Sequence, residues 1–161
     1  MYIHEIKLVV MDVDGSLTDA GIYITAAGDE FKKFNARDGL AITTLEKNGI
    51  RTGLLSHAKT PVIVERRAAM LKTSYCYAGE EKKAVVLQQW IDDMGIKPEN
   101  VLFFGDDNND LDAMEMSGMV ACPANASSTV KLKAHHICTR AGGDGAFREL
   151  AEAVWPHLFG I

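Results

Sequence analysis

Two clusters of acidic residues each follow a short apolar run in this chain of 161 residues. Asp12 and Asp14 end the segment KLVVMDVD, and Asp106, Asp107 and Asp110 lie in the segment VLFFGDDNND. Such apolar runs are typical of buried parallel strands, whose carboxyl ends meet at one edge of a sheet. Carboxylates gathered at one edge repel each other unless a divalent cation is bound, and oxygen ligands suit Mg²⁺. The sequence therefore predicts a magnesium site.

The spacing within the first cluster supports this prediction. Asp12 and Asp14 are two positions apart, so an extended backbone would point both carboxylates into one site. Gly15 permits a sharp turn after them, and the amides of that turn can face an anion. A D-x-D-G segment on its own is also typical of a solvated turn. The second acidic cluster makes that interpretation the less favoured one.

A hydroxyl and two lysines continue the pattern of polar groups at strand ends. Ser56 ends the run RTGLLS, and Lys82 and Lys83 open the helical segment after SYCYA. Taken singly, serine before a helix is commonly an N-cap, and a lysine there is commonly solvated although the helix dipole disfavours it. Along the chain, the acidic pair is followed by the hydroxyl, then the lysines and then the second acidic cluster. Together these groups form one larger constellation.

Apolar runs alternate with segments of helical period along the chain. Strands are predicted at 6–11, 51–55, 74–78, 100–104 and 119–121. Helices are predicted at 39–48, 60–71, 81–94, 109–117, 126–133 and 144–154. Such alternation predicts right-handed βαβ units and an α/β fold with a doubly wound, mainly parallel sheet in a single domain, 1–161. The exception is 21–34, whose alternating residues around Ala27, Gly28 and Asp29 predict a protruding β-hairpin.

Composition limits the classes of partner. The formal net charge is −5 and the basic residues are scattered, so neither nucleic acid nor a membrane surface is expected as a partner. The segment MYIHEIKLVV lacks the features of a signal peptide and the apolar runs are strand-sized, which predicts a cytoplasmic protein.

Cys76, Cys122 and Cys138 are odd in number and have no C-x-x-C spacing, so buried free thiols are predicted rather than disulfides or a zinc site.

Taken together, the motifs resemble those of the haloacid dehalogenase superfamily of phosphotransferases. Its four motifs appear here as DVDGSLTD, the Ser of LLSH, the Lys of GEEKK and GDDNND. The resemblance implies a Rossmann-like fold and a phosphomonoester hydrolase in which Asp12 is the nucleophile and forms an aspartyl-phosphate. It implies that Asp14 is the general acid and then the base. Ser56 and Lys83 would hold the transferring phosphoryl group, with Lys82 as the alternative to Lys83.

The same resemblance implies how the Mg²⁺ cofactor is held. Its ligands would be Asp106, Asp12 and the backbone carbonyl of Asp14. Asp107 or Asp110 would contact these ligands without binding the cation. The cation and Lys83 would cancel the repulsion between the attacking carboxylate and the phosphate.

The intervals between the motifs leave no room for a cap domain, since Asp12 and Ser56 are 44 positions apart (56 − 12) and Lys83 and Asp106 are 23 apart (106 − 83). The length, with KKFNARDGLAI and RAGGDGAFREL, resembles a capless, tetrameric branch that hydrolyses 8-phosphates or 9-phosphates of 3-deoxy-2-keto sugar acids. The resemblance implies a homotetramer joined through its hairpins. It favours octulosonate 8-phosphate, a lipopolysaccharide precursor, over a nonulosonate 9-phosphate. A non-catalytic tetramerisation module is the alternative of another class.

Five residues are candidates for binding the substrate. Arg37, Asp38, Arg140 and Arg148 match recurrent polar positions of that branch, and arginine suits a substrate that bears both phosphate and carboxylate. Each arginine taken singly is also typical of a surface ion pair. Relatives commonly carry a charged residue shortly after the middle strand, where this chain reads Ser-His-Ala. His57 is therefore the candidate for that contact, and the exact sugar acid stays open.

Overall fold

A computed structural model gives the structure of the chain and describes residues 5–161. The strands are β1 (Leu8–Met11), β2 (Tyr23–Ile24), β3 (Glu30–Phe31), β4 (Arg51–Ser56), β5 (Tyr75–Ala78), β6 (Val101–Phe104), β7 (Met119–Cys122) and β8 (His136–Ile137). The helices are α1 (Ala36–Lys47), α2 (Pro61–Leu71), α3 (Lys83–Met94), α4 (Leu111–Met116), α5 (Ser128–Lys133) and α6 (Ala146–Val154). Short 3-10 turns cover Pro98–Asn100, Asn108–Asp110 and Pro156–Phe159.

Six of the strands form one parallel sheet in the order β5-β4-β1-β6-β7-β8. The chain leaves β1 toward β4 and β5 on one side, and later returns to the other side of β1 through β6, β7 and β8. The strand order therefore reverses beside β1. In open α/β sheets, ligands bind outside the carboxyl ends of the strands at such a switch point. The predicted doubly wound parallel sheet is confirmed.

The core consists of two layers, one on each face of the sheet. Val9 and Met11 of β1 pack in one layer with side chains of α1, α2 and α6, whereas Leu8 and Val10 pack in the other with side chains of α3, α4 and α5. All four residues of β1 are fully buried. A strand that is apolar on both faces reads as a continuous apolar run, which is why LVVM was recognisable in the sequence.

The hairpin predicted at 21–34 is present, although its strands have only two residues each. Tyr23 pairs with Phe31 and Ile24 with Glu30 in antiparallel register. The loop closes where the amide of Thr25 donates to the carbonyl of Asp29 at 2.9 Å. The hairpin lies outside the six-stranded sheet and forms a separate small ribbon.

Some details differ from the sequence prediction, among them the bounds of several helices, which begin two or three residues away from the predicted positions. The first strand begins at Leu8 rather than at 6. β8 was not predicted, because two residues carry no readable alternation. Cys122 and Cys138 are buried as predicted, but Cys76 is exposed, since it lies in the edge strand β5.

In the part of the chain that the structure describes, no helix is both long and apolar enough to span a bilayer.

Candidate active site

The two acidic clusters meet at the carboxyl ends of β1 and β6. These strands are neighbours in the sheet, and the amide of Asp12 extends their pairing by donating to the carbonyl of Phe104 at 2.9 Å. Ligand oxygens of Asp12, Asp106 and Asp110 lie within 4.8 Å of one another. The predicted meeting of the clusters at one edge of the sheet is therefore observed, directly at the switch point beside β1.

Lys83 lies at the centre of this acidic cluster. Its Nζ donates to Oδ1 of Asp12 and to Oδ1 of Asp110, both at 2.6 Å. The Lys83 side chain is 1% exposed and that of Asp110 is not exposed at all. Asp110 is also held by its other oxygen, because Oδ2 accepts from the amides of Asp106 and Asp107 at 3.0 and 3.2 Å. Asp110 thus fixes both the lysine and the loop that carries Asp106.

Ser16 and Gly15 connect the two acidic loops. The Oγ of Ser16 donates to Oδ1 of Asp106 at 2.9 Å and lies 3.5 Å from Oδ2 of Asp12. Gly15 has a φ of +88°, and a Cβ at this position would collide with the Asp106 carboxylate. Only glycine combines this left-handed backbone with so close an approach. The turn after β1 is therefore built to place Asp106 against it.

Burial and mutual repulsion control the ionisation of the cluster. Burial raises the pKa of Asp12 to about 7 and that of Asp110 to about 6, although Lys83 acts in the opposite direction. Burial disfavours the charged form of Lys83, but the two carboxylates outweigh it and raise the pKa of the lysine. When all are ionised, the three carboxylates and one ammonium carry a net charge of −2. A divalent cation would balance that charge.

The donor set fits magnesium. Both oxygens of Asp110 accept close hydrogen bonds, whereas Oδ2 of Asp12 has only the 3.5 Å contact with Ser16, and Oδ2 of Asp106 has no donor among residues 5–161. Asp12 and Asp106 are therefore the carboxylates most open to a cation. Hard oxygen donors of this kind are the usual protein ligands of Mg²⁺. Ser56 provides a second indication of a bound group, because its Oγ is buried and has no hydrogen-bond partner among residues 5–161. Buried hydroxyls are almost always partnered, so this one is suited to an anion beside the cation.

Comparison with known proteins identifies the family. The sequence model of haloacid dehalogenase-like hydrolases matches residues 76–150. Over 147 residues, the chain is 35% identical to the 3-deoxy-D-manno-octulosonate 8-phosphate phosphatase KdsC of Escherichia coli (strain K12), with 91% of this chain and 78% of that protein covered. The chain belongs to the haloacid dehalogenase-like hydrolases.

Solved structures of this hydrolase family have the same fold. The octulosonate 8-phosphate phosphatase of Moraxella catarrhalis, in complex with magnesium, phosphate and KDO, is 32% identical with a TM-score of 0.91, and the match covers 96% of this chain and 88% of that one. The cobalt-bound octulosonate 8-phosphate phosphatase of Haemophilus influenzae is 33% identical with a TM-score of 0.91, over 99% of this chain and 92% of that one.

In this haloacid dehalogenase-like hydrolase, the geometry distinguishes between the alternatives that the sequence left open. Lys83 reaches the acidic cluster, whereas Lys82 is exposed at the N-terminus of α3. Asp110 supports the cluster from behind. Asp107 does not, because its exposed carboxylate accepts from the amide of Asn108 at 2.7 Å and caps the following turn. The expectation for Asp107 is therefore corrected.

Asp14 lies beside the cluster with a partner of its own. Its Oδ1 accepts from Nζ of Lys32 at 2.7 Å, and the Asp14 side chain is 42% exposed while that of Lys32 is 10% exposed. The strand ends before Asp12, so the two carboxylates do not follow an ideal strand and have different partners. Asp14 and Lys32 line a cavity of about 370 Å³, together with His57. A ring nitrogen of His57 lies 2.9 Å from the carbonyl of Glu81.

The other candidate substrate residues lie elsewhere in the hydrolase chain. Arg37, Arg140 and Arg148 line a second cavity of about 630 Å³, to which the acidic cluster does not contribute. Arg148 is already paired within the chain, because its Nε donates to Glu152 at 2.6 Å. Among residues 5–161 of one copy, no hydrogen bond or ion pair joins these arginines to Asp12.

Asp38 does not line either cavity, and its expected role is corrected. It is 2% exposed, and its Oδ1 accepts from the amide of Arg148 at 2.8 Å, so it caps the N-terminus of α6. Burial raises its pKa to about 6, against the lowering effect of the backbone amides of Arg148 and Gly145. Asp38, which the sequence suggested as a substrate contact, thus joins α1 to α6 through this hydrogen bond.

Sequence reasoning missed two residues of the site. Ser16 follows D-x-D-G and was not singled out, although a hydroxyl two positions after Asp14 could have signalled a contact across the turn. Lys32 was hidden in the hairpin as one of two adjacent lysines, and Lys33 is the one on the solvent side. Alternation in a strand places neighbours on opposite faces, so the sequence could not say which lysine faces Asp14.

Proposed function

We propose that the chain is an Mg²⁺-dependent phosphatase that hydrolyses 3-deoxy-D-manno-octulosonate 8-phosphate, a reaction of lipopolysaccharide precursor synthesis. The observation that carries this proposal is the buried Asp12 carboxylate, held by Lys83 and next to Asp106 at the switch point of the sheet. The 35% identity to the octulosonate 8-phosphate phosphatase of Escherichia coli supports the substrate.

Asp12 is the nucleophile of the proposed reaction. One of its carboxylate oxygens forms a bond to phosphorus while the bond from phosphorus to the sugar oxygen breaks, which gives an aspartyl-phosphate. Lys83 fixes the carboxylate through Oδ1, and its positive charge lowers the repulsion between two anions. Ser56 would donate its free hydroxyl to a phosphoryl oxygen. Mg²⁺ held by Asp12, Asp106 and the Asp14 carbonyl would supply charge neutralisation and polarise the phosphoryl oxygens.

Asp14 moves the protons in both steps. It gives a proton to the departing sugar oxygen and then takes one from the water that attacks the aspartyl-phosphate, so that phosphate is released and Asp12 is restored. Lys32 is the residue that positions it, through the 2.7 Å hydrogen bond to Oδ1. Because Lys32 belongs to the segment after β3, the hairpin takes part in placing the acid.

The cavity beside Asp14 has the size that a sugar acid needs and includes cationic groups. Its volume of about 370 Å³ lies in the range of small-molecule sites. Lys32, Lys59 and His57 line it together with Asp14 and Glu30, and both of these carboxylates already pair with Lys32. Lys59 and His57 are therefore the groups that remain to pair with a substrate carboxylate. The phosphate would lie toward Ser56 and Lys83, with the sugar and its carboxylate in this cavity.

We expect purified protein to release phosphate from octulosonate 8-phosphate with a kcat/KM at least about tenfold above that for nonulosonate 9-phosphates, because this ratio measures discrimination in the transition state. Chelation by EDTA should abolish turnover, and added Mg²⁺ should restore it. A steady-state comparison of the two substrates measures the ratio. A larger value for the nine-carbon substrate would assign the chain to the nonulosonate reaction.

We further propose that the protein is a homotetramer joined through its hairpins. Three apolar side chains of the hairpin region face solvent in the single chain, with Ile22 77%, Ile24 65% and Phe31 52% exposed. An isolated two-stranded hairpin is marginally stable in water, so these side chains gain most by packing against other copies. In such an assembly, Arg37 and Arg140 would be available to the site of a neighbouring copy. The cytoplasm is the proposed compartment, because it keeps free thiols reduced.

Replacing Ile24 by Asp is expected to convert the tetramer to smaller species, because a charge would be buried in the apolar hairpin contact. Light scattering of the full chain at micromolar concentration measures the mass. Leu132→Asp is the matched control, since Leu132 is 89% exposed on α5, away from the hairpin. A monomer mass for the unmodified protein would refute the tetramer, and a mass change in both variants would show that the hairpin is not the specific contact.

A further inference from the structure

A second cluster of metal-ligating side chains lies at the far end of the sheet. It consists of His136 in β8, Cys138 just after this strand, and Glu149 in α6. An imidazole nitrogen, the thiol sulfur and a carboxylate oxygen lie within 4.8 Å of one another. No residue is shared with the cluster at Asp12, and β7 separates β8 from β6.

The backbone explains why these three side chains meet. His136 and Cys138 are two positions apart along an extended segment and therefore face the same way, toward α6. Glu149 is fixed there by the chain that follows β8, because its oxygens accept from the amides of Thr139 at 2.8 Å and Arg140 at 3.0 Å. The carboxylate is thus held in place before any ligand arrives. Its Oε2 also accepts from the hydroxyl of Thr139 at 3.1 Å, so Oε1, with one donor, is the oxygen that keeps a lone pair for a cation.

The His136 imidazole provides an independent sign of a ligand. Its Nε2 atom is shielded from solvent and has no hydrogen-bond partner among residues 5–161. Buried polar atoms in proteins are nearly always partnered, by protein, water or an ion. Cys138 is 3% exposed, and its thiol donates to the carbonyl of Ala146 at 3.3 Å and lies within hydrogen-bond reach of the amide of Leu150. A shielded nitrogen without a partner and a buried thiol therefore lie beside a fixed carboxylate.

We propose that His136, Cys138 and Glu149 form a site for a zinc-class divalent cation that fastens β8 to α6. Nitrogen, sulfur and oxygen donors together are typical of Zn²⁺, whereas Mg²⁺ takes oxygen ligands. With the thiol deprotonated, the thiolate and carboxylate balance the two charges of the cation, and the imidazole stays neutral. Tetrahedral ligands of Zn²⁺ are about 3.5 Å apart, so side-chain shifts of about 1 Å would close the site.

The neighbouring cavity reaches the proposed site at Glu149. Glu149 lines the cavity of about 630 Å³, together with Thr139 and Arg140. Three protein ligands and one open position leave room for a water molecule in a tetrahedral site. Because the site joins the edge strand β8 to a helix of one core layer, its effect would be on stability. The inference does not depend on the proposed phosphatase reaction.

Cobalt absorption tests the site in the full-length protein. Co²⁺ replaces Zn²⁺ in such sites and gives a thiolate-to-metal absorption band that an all-oxygen site cannot give. With saturating Mg²⁺ present to occupy the acidic cluster, one equivalent of Co²⁺ should produce this band, and Zn²⁺ should displace it. Cys138→Ser should abolish the band, whereas Cys76→Ser, which removes an exposed thiol, should keep it.

A second measurement covers the case in which Cys138→Ser does not fold. His136→Gln should weaken the binding of Zn²⁺ by more than about 100-fold. Mutating a residue that only hydrogen-bonds to a metal ligand already lowers metal affinity by about 10- to 100-fold, and loss of a ligand should lower it further. His157→Gln, at an exposed histidine, is the matched control. Zinc should raise the unfolding midpoint of the unmodified protein, of His157→Gln and of Asp12→Asn, but not of His136→Gln. The proposal is overturned if the unmodified protein shows no thiolate band, or if His136→Gln binds zinc as tightly as His157→Gln.

Discussion

Asp12→Asn is expected to lower kcat for phosphate release by at least about 10⁴-fold, because the amide cannot attack phosphorus and no aspartyl-phosphate can form. The side chain keeps its shape, and Lys83 keeps its second partner, Asp110, at 2.6 Å. The variant should therefore fold. Steady-state release of phosphate from octulosonate 8-phosphate and from a generic phosphomonoester, both with Mg²⁺, measures the loss.

Asp107→Asn is the control for this change. It makes the same chemical replacement in the second acidic segment, but the Asp107 carboxylate is exposed and caps a turn. We expect its kcat to stay within a few-fold of the unmodified protein. Equal rates for the unmodified protein and Asp12→Asn would contradict the nucleophile. An unmodified protein that forms tetramers but turns over no phosphomonoester would support the non-catalytic module.

The position of the site was predictable because it depends on strand ends. Lys83 lies 71 positions after Asp12, and Asp106 lies 94 positions after it, yet parallel strands bring all three to one edge of the sheet. The buried runs at β1 and β6 are continuous and apolar, so they can be recognised without any structure. The pattern therefore predicted which backbone segments converge, and the carboxylates and lysine followed from their places in those segments.

The direction of each side chain was not predictable in the same way. Asp14 follows the end of β1, where the chain turns, and its carboxylate therefore pairs with Lys32 of the hairpin region rather than joining Asp12 at Lys83. Asp38 looked like a substrate contact, but one turn into α1 it reaches the amides of α6 instead. Rotamers and tertiary packing decide such contacts, and neither leaves a periodic signal in the sequence.

The cluster at His136 shows the same limit. Cys138 and Glu149 are 11 positions apart and belong to different elements, and they meet only because α6 packs beside β8. A strand of two residues has no alternation to detect, and ligands from a strand and a helix have no fixed spacing. The absence of C-x-x-C therefore argued against a zinc site in the sequence, although the structure brings three suitable ligands together.

Lys83→Met is expected to remove activity and also to lower the free energy of unfolding by about 3 kcal/mol, because two buried carboxylates lose their only cationic partner among residues 5–161. Lys82→Met is the matched control, since Lys82 is exposed and its loss should change stability by no more than about 0.5 kcal/mol. Urea unfolding with EDTA present measures both values, and phosphate release with Mg²⁺ measures the activities.

A second replacement separates the electrostatic role of Lys83 from its catalytic role. In the double variant Lys83→Met, Asp110→Asn, one of the two unpaired carboxylates is neutral, and the remaining amide can still accept from the amides of Asp106 and Asp107. We expect unfolding free energy to recover by at least about 1 kcal/mol relative to Lys83→Met, because repulsion between buried charges falls. Activity should stay low, since no ammonium remains beside Asp12. Recovery of activity with stability would mean that Lys83 serves only to hold the fold, and loss of activity in Lys82→Met alone would transfer its proposed role to the neighbouring lysine.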